Sequence, residues 1–285
     1  MLSVVAAVSL ALAGVWQGAA SAPLLAAYDR LDLDAMRRSA AALSVGEVGA
    51  RLDSSDPDTR RATILASPAA RDPWVHLPKL AALAGGWQRD QAVAATEAAG
   101  HIARTLSPEH VELHEIEADR ISAAARAWAS VAQRADRWPD VRVAAMAIVA
   151  QLDAALLAQP DPPRWLHALD DPDPAVRRAA AELMPDPVPS SARARLGRAV
   201  IEDADPDVVW AAAQSLCAGL AHGDDSAGAV AALGAPGLAR VAQLASDDDL
   251  AQRAPAAVLD AARCLAASPA HRRALTALEQ RVARP

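Results

Sequence analysis

Two histidines one helical turn apart are the first residues in this chain with spacing suited to chemistry. They lie in Pro108-Glu109-His110-Val111-Glu112-Leu113-His114-Glu115-Ile116-Glu117. On a helix, positions i and i+4 share a face, so His110 and His114 can offer two imidazole nitrogens to one metal ion, with Glu117 three residues further on. The zincin pattern H-E-x-x-H is absent, because Val111 and not Glu follows the first histidine. The run is otherwise that of a solvated acidic insertion. No metal site is therefore assigned, and His110, His114 and Glu117 are the residues that would form one.

Other candidates reduce to packing or capping. Asp203-x-Asp205-x-Asp207 imitates the start of a calcium loop, but Val208 stands where the sharp turn needs Gly and Gln214 where the bidentate Glu belongs. Helix capping accounts better for the three aspartates. Trp74-Val75-His76 and Trp165-Leu166-His167 repeat one tripeptide at corresponding points, which reads as packing grammar. Trp87, Trp128, Trp138 and Trp210 are expected to fill gaps between helices. Cys217 and Cys264 are 47 residues apart, too far for a local CxxC redox or zinc pair, and are expected as two buried free thiols, with a disulfide between equivalent helices of adjacent repeats as the alternative in an exported chain. There is no G-x-S-x-G elbow, G-x-x-x-x-G-K-[ST] loop or G-x-G-x-x-G turn. Neither a catalytic residue nor a cofactor is expected, and the chain reads as non-enzymatic.

The elements that would position these residues repeat along the chain. Asp-Pro-Asp or a variant is followed by Arg and an alanine-rich apolar run at Asp56-Pro57-Asp58, Pro139-Asp140, Asp171-Pro172-Asp173, Asp205-Pro206-Asp207 and Asp247-Asp248-Asp249, with a degenerate copy at Arg89-Asp90. The reference aspartates Asp58, Asp90, Asp140, Asp173, Asp207 and Asp249 are spaced by 32, 50, 33, 34 and 42 residues. Periods of this size mark helical solenoids. An Asp before an apolar-periodic run can cap the free N–H groups of the first turn and suits the positive end of the helix dipole, while Pro is preset for the first helical position. Val176, Ala179, Ala180 and Leu183 share one helical face, as do Val209, Ala213, Leu216 and Leu220. Shorter amphipathic runs precede each phrase: 45–52, 74–83, 121–132, 165–169, 192–201 and 237–245. Each unit thus reads as helix, acidic turn, helix, and the 50-residue interval holds an insertion near 107–120.

The phrase Asp-Pro-Asp-x-x-Val-Arg-x-x-Ala-x-x-x-Leu, met most fully from Asp171 to Leu183, resembles HEAT repeats, in particular the short HEAT-like repeats of the phycobilisome-lyase type. The resemblance implies an all-α solenoid of about six helix pairs over 45–285, preceded by a helical segment over 23–44. It implies structural roles for the caps Asp58, Asp140, Asp173, Asp207 and Asp249 and for Arg61, Arg142, Arg177 and Arg253. It also implies a protein partner on the concave face of the second helices. Val209 and Trp210 stand where the fourth phrase should carry Arg, so an arginine ladder is expected to break there.

Composition bounds the rest. The 285 residues are 53% hydrophobic and 22% charged, with net charge −7. That sign argues against nucleic acid, which needs a basic face. Residues 1–22 carry no charged side chain, an apolar run from Leu2 to Val15, and Ala20-Ser21-Ala22 before Pro23. This is the pattern of a cleaved signal peptide, giving the expectation of a periplasmic or secreted chain with no membrane span after cleavage. A non-catalytic protein-interaction scaffold of the cell envelope is the function expected. The alternative is a metal-dependent accessory protein or enzyme using His110 and His114.

Overall fold

Proline fixes where five of the described helices begin. In the computed structural model, which describes residues 22–221 and 239, Pro57, Pro108, Pro139, Pro174 and Pro206 each open an α-helix. Their φ is already helical and they lack the N–H that a first turn leaves unpaired. The helices are α1 (22–29), α2 (Leu33–Ala41), α3 (Val45–Leu52), α4 (Pro57–Ala66), α5 (Leu77–Ala84), α6 (Arg89–Thr105), α7 (Pro108–Leu113), α8 (Ala118–Ala132), α9 (Pro139–Ala155), α10 (Pro174–Glu182), α11 (Ser190–Glu202) and α12 (Pro206–Ala221). Short 3₁₀ turns occupy Ser67–Ala69, Pro73–His76 and Leu166–Asp170. Among the described residues there is no strand, and the fold is all-α. No helix among them is long and apolar enough to cross a membrane.

The chain divides into two compact units between Val131 and Ala132. In the first, α4 packs on α3, α2 and α6, and α6 also packs on α5. Leu24 and Ala27 of α1 and Met36 and Ala40 of α2 are buried with Ala62 and Ala66 of α4, and Leu25, Tyr28 and Ala35 lie against them. The helical segment expected over 23–44 therefore covers the outer apolar face of α4. Trp128 is fully buried, and its indole N–H donates to the Leu77 carbonyl oxygen at 3.1 Å, joining α8 to α5. Lys79, the only lysine, donates to the Gly49 carbonyl oxygen at 2.9 Å and pairs with Asp53, tying α5 to the end of α3.

In the second unit α10 packs on both α9 and α12, and α12 also packs on α11. Ser215 of α12 donates to the Ala181 carbonyl oxygen of α10 at 2.6 Å. Val176, Ala179, Ala180, Val209, Ala213 and Leu216 are buried in these contacts. The small side chains let helix axes approach closely. α11 also packs on the 3₁₀ turn at Leu166–Asp170, the counterpart of a first helix in the preceding pair. That 165–169 run is too short, between Pro163 and the Asp171-Pro172 turn, to close a full α-helix.

Candidate functional site

The acidic turns follow one rule: the cap is the residue before the last proline of the phrase. Asp56 caps α4, accepting from the Thr59 N–H at 2.9 Å, and Asp173 caps α10, accepting from the Ala175 N–H at 2.9 Å. Asp205 accepts from the N–H groups of Asp207 at 2.9 Å and Val208 at 3.2 Å at the start of α12. Asp173 thus stands at the expected cap. Asp58, Asp140 and Asp207 do not; each is the second residue of its helix, placed there by the preceding proline, and Trp138 occupies the cap position of α9 without a side-chain bond. Asp249 lies outside the described residues.

Counting from the cap shows a second layer that sequence reading missed. Two residues before the cap, Ser54, Asp171 and Asp203 accept the cap residue's own N–H, at 3.2, 2.9 and 2.9 Å. Four residues after the cap stand Arg60, Arg142, Arg177 and Val209. Arg60 and Arg177 reach back to the carbonyl oxygens of Ser54 and Asp171, at 2.6 and 2.8 Å. These two and Arg142 also reach forward to the next repeat: Arg60 to Gln91 Oε1 at 2.6 Å, Arg142 to Asp171, and Arg177 to Asp203. The structural arginine of the first phrase is therefore Arg60. Arg61, one residue later, is rotated to the solvent side of α4 and is exposed. Val209 occupies the arginine register of α12 and is buried. Arg253 lies outside the described residues.

These pairs are well shielded. The side chains of Arg142 and Asp171 are 2% and 7% exposed, and those of Arg177 and Asp203 are 17% and 8%. The hydrogen bonds it donates to Asp203 hold the Arg177 guanidinium above its ordinary pKa against the opposing pull of burial. Asp203 and Asp205 are thus committed to protein donors, and helix capping accounts for the calcium-like cluster. A second shielded pair joins Arg164 Nε to Asp153 Oδ1 at 3.0 Å, where burial raises the Asp153 carboxyl and Arg164 partly counters it.

The histidine pair is brought together, and an indole joins it. Ser107 caps α7 by accepting the His110 N–H at 3.0 Å. The rings of His110 and His114 have centroids 4.3 Å apart, and Trp74 lies 5.7 Å from His110 and 5.8 Å from His114. Trp74 comes from the 3₁₀ turn before α5 and is half-buried. Glu117 is not part of this group; it is exposed and accepts from Arg120 Nε at 2.7 Å. Among the described residues no group of three or more His, Cys, Asp or Glu side chains is gathered for a metal.

The repeated tripeptide is not equivalent in space. His76 is buried and Trp74 half-buried, whereas Trp165 is buried and His167 exposed. His76 and Trp74 close the 3₁₀ turn that leads into α5, while Trp165 precedes the other turn, which shifts which side chain faces inward. Trp128 fills an interior gap as expected, and Trp138 and Trp210 are half-buried. Trp87 does not fill one: it is 75% exposed, on the short turn between α5 and α6. Cys217 also departs from expectation, being half-buried and disulfide-bonded. Cys264, the chain's other cysteine, lies outside the described residues, as do the segments 1–21 and 237–238 and 240–245 of the expected signal peptide and last first helix.

No protein-family model matches the chain, and no curated protein matches it.

Proposed function

We propose that this chain is a non-catalytic protein-interaction scaffold of the cell envelope, a HEAT-like solenoid that offers the exposed flank of its second helices to a protein partner. The reading is carried by the order of packing: α4 on α6 in one unit, and α9, α10 and α12 in sequence in the other, with Arg–Asp links at one register. A chain built by stacking like elements on their neighbours presents an extended surface in proportion to its length. In the first unit the exposed positions on α4 and α6 include Arg61, Leu65, His101 and Arg104, a mixed polar and apolar set suited to a helical or extended peptide. Export is supported by the apolar leader over Leu2–Val15 and by the Cys217 disulfide, since such bonds persist in oxidising compartments.

Small-angle scattering and affinity capture test the two halves of this reading. A compact sphere of about 260 residues has a radius of gyration of about 18 Å, and the solenoid is expected well above it. Tagged chain is expected to retain a discrete protein from periplasmic extract, and Leu65→Asp with Arg104→Glu to release it. A compact radius overturns the solenoid; a partner indifferent to those substitutions overturns the assigned surface.

A further inference from the structure

We propose that His110 and His114 bind one copper ion, with Trp74 forming a wall of the site. The ring separation is the first observation. An imidazole nitrogen about 2.0 Å from a first-row ion places its ring centre about 3.2 Å away, so two rings at neighbouring corners of a square plane have centres about 4.5 Å apart. The observed separation is 4.3 Å, with the planes tilted by 38°. Two tilted rings at this spacing match the centre separation that one shared ion requires.

The second observation is an unpaired ligand atom. His110 Nε2 is buried and has no hydrogen-bond partner. A buried ring nitrogen in that condition carries a desolvation cost that an ion would relieve. The third is the indole. Trp74 lies edge-on to His110 and tilted to His114, closing one side of the pair, while the His114 side chain is exposed. An aromatic wall beside a cation is favourable in itself.

The donor set selects the metal. Two nitrogens with no third side-chain ligand fall short of the four that a structural zinc site uses, and they lack the oxygens that calcium or magnesium needs. Copper(II) stands highest in the affinity order for nitrogen donors and accepts water at its remaining corners. The exposed carboxylates of Glu109, Glu112 and Glu115 give the site a negative field that draws cations toward it. Glu117 stays with Arg120.

Copper(II) titration of the chelator-stripped full chain, followed by electron paramagnetic resonance and tryptophan emission, tests this assignment. The expected result is an equivalent of copper whose spectrum carries nitrogen couplings from two imidazoles, together with a saturable loss of emission. His114→Ala, at an exposed position, should keep the melting temperature and weaken that equivalent by about tenfold or more. The double variant His110→Ala/His114→Ala should lose it. Trp74→Leu should retain the stoichiometry and lose most of the emission change. If the double variant binds as many equivalents as the wild type with the same affinity, or if zinc binds more tightly than copper, the assignment fails.

Discussion

Arg177 and Asp203 meet through two parallel hydrogen bonds across 26 residues of sequence: Nε to Oδ2 at 2.8 Å and Nη2 to Oδ1 at 2.9 Å. One partner lies four residues after its helix cap, and the other lies two residues before the cap of the next unit. Asp203 Oδ1 also accepts the Asp205 N–H, so the carboxylate that receives the arginine is the one that shapes the following turn. Arg142 and Asp171 repeat the arrangement. Electrostatic contact between successive repeats and local turn geometry are therefore one device, used twice in the second unit.

Replacing Arg177 by Ala is expected to destabilise the second unit by about 2–3 kcal/mol, somewhat below the 3–5 typical of fully buried pairs because the guanidinium retains some solvent. Asp203→Asn should cost less, since the amide oxygen can still accept the Asp205 N–H. Urea unfolding of both single variants and the double variant yields the coupling energy. A value below about 0.5 kcal/mol would show that the pair acts as an ordinary surface contact.

Cap position separates two aspartates that look alike in sequence. Asp205→Ala should lower stability by about 1 kcal/mol, because two first-turn N–H groups lose their acceptor. Asp207→Ala should have less than half that effect, because Asp207 sits inside the helix with only a distant approach, 3.8 Å, to Arg178. Equal losses measured by thermal melting would contradict the register set by Pro206.

The repeat and its helices were legible because they depend on near neighbours. Val45–Leu52 is α3 as its periodicity predicts, and the faces marked by Val176 and Val209 are buried. What escaped depends on register and on distance. Asp-Pro-Asp offers two carboxylates, and only the rule that the last proline opens the helix chooses between Asp56 and Asp58 or Asp205 and Asp207. A one-residue ambiguity likewise put the arginine at 61 instead of 60, where a rotation of about 100° separates solvent from the neighbouring repeat. Asp171 and Asp203 could not be singled out within one unit, since their partners lie 29 and 26 residues upstream. The pairing of Trp74 with His110 and His114 likewise joins segments more than thirty residues apart in sequence.

Trp128 should be the costliest single truncation in the first unit. It is fully buried, and its N–H is the polar link between α8 and α5. Trp128→Ala is expected to lose about 3–5 kcal/mol through the cavity and the missing contacts. Trp128→Phe preserves much of the volume and should lose less, the remainder reporting the missing bond to Leu77 together with the smaller ring. Denaturant midpoints at a common slope measure both. A Phe variant as damaged as the Ala variant would mean that the hydrogen bond, and not the filled volume, dominates.

The His76 side chain predicts how stability responds to mild acid. Burial, and secondarily the charge on Lys79, holds its folded-state pKa below the ordinary value of 6.5. The unfolded chain therefore takes up the proton first as pH falls through about 6.5, which favours unfolding, and above that pH the group contributes no slope. Stability should accordingly decline from pH 7.5 to 5.5. His76→Phe should flatten that part of the profile even though the residue's Nε2, buried and without a hydrogen-bond partner, adds nothing at neutral pH that the ring would miss. Asp153 acts with the opposite sign: burial raises its folded-state pKa, so its favourable contribution is present at low pH and is lost as pH rises through that value. Asp153→Asn should therefore leave the His76 decline in place or deepen it. Urea midpoints at pH 7.5, 6.5 and 5.5 for the three proteins decide the matter, and an unchanged slope in His76→Phe would remove His76 as its source.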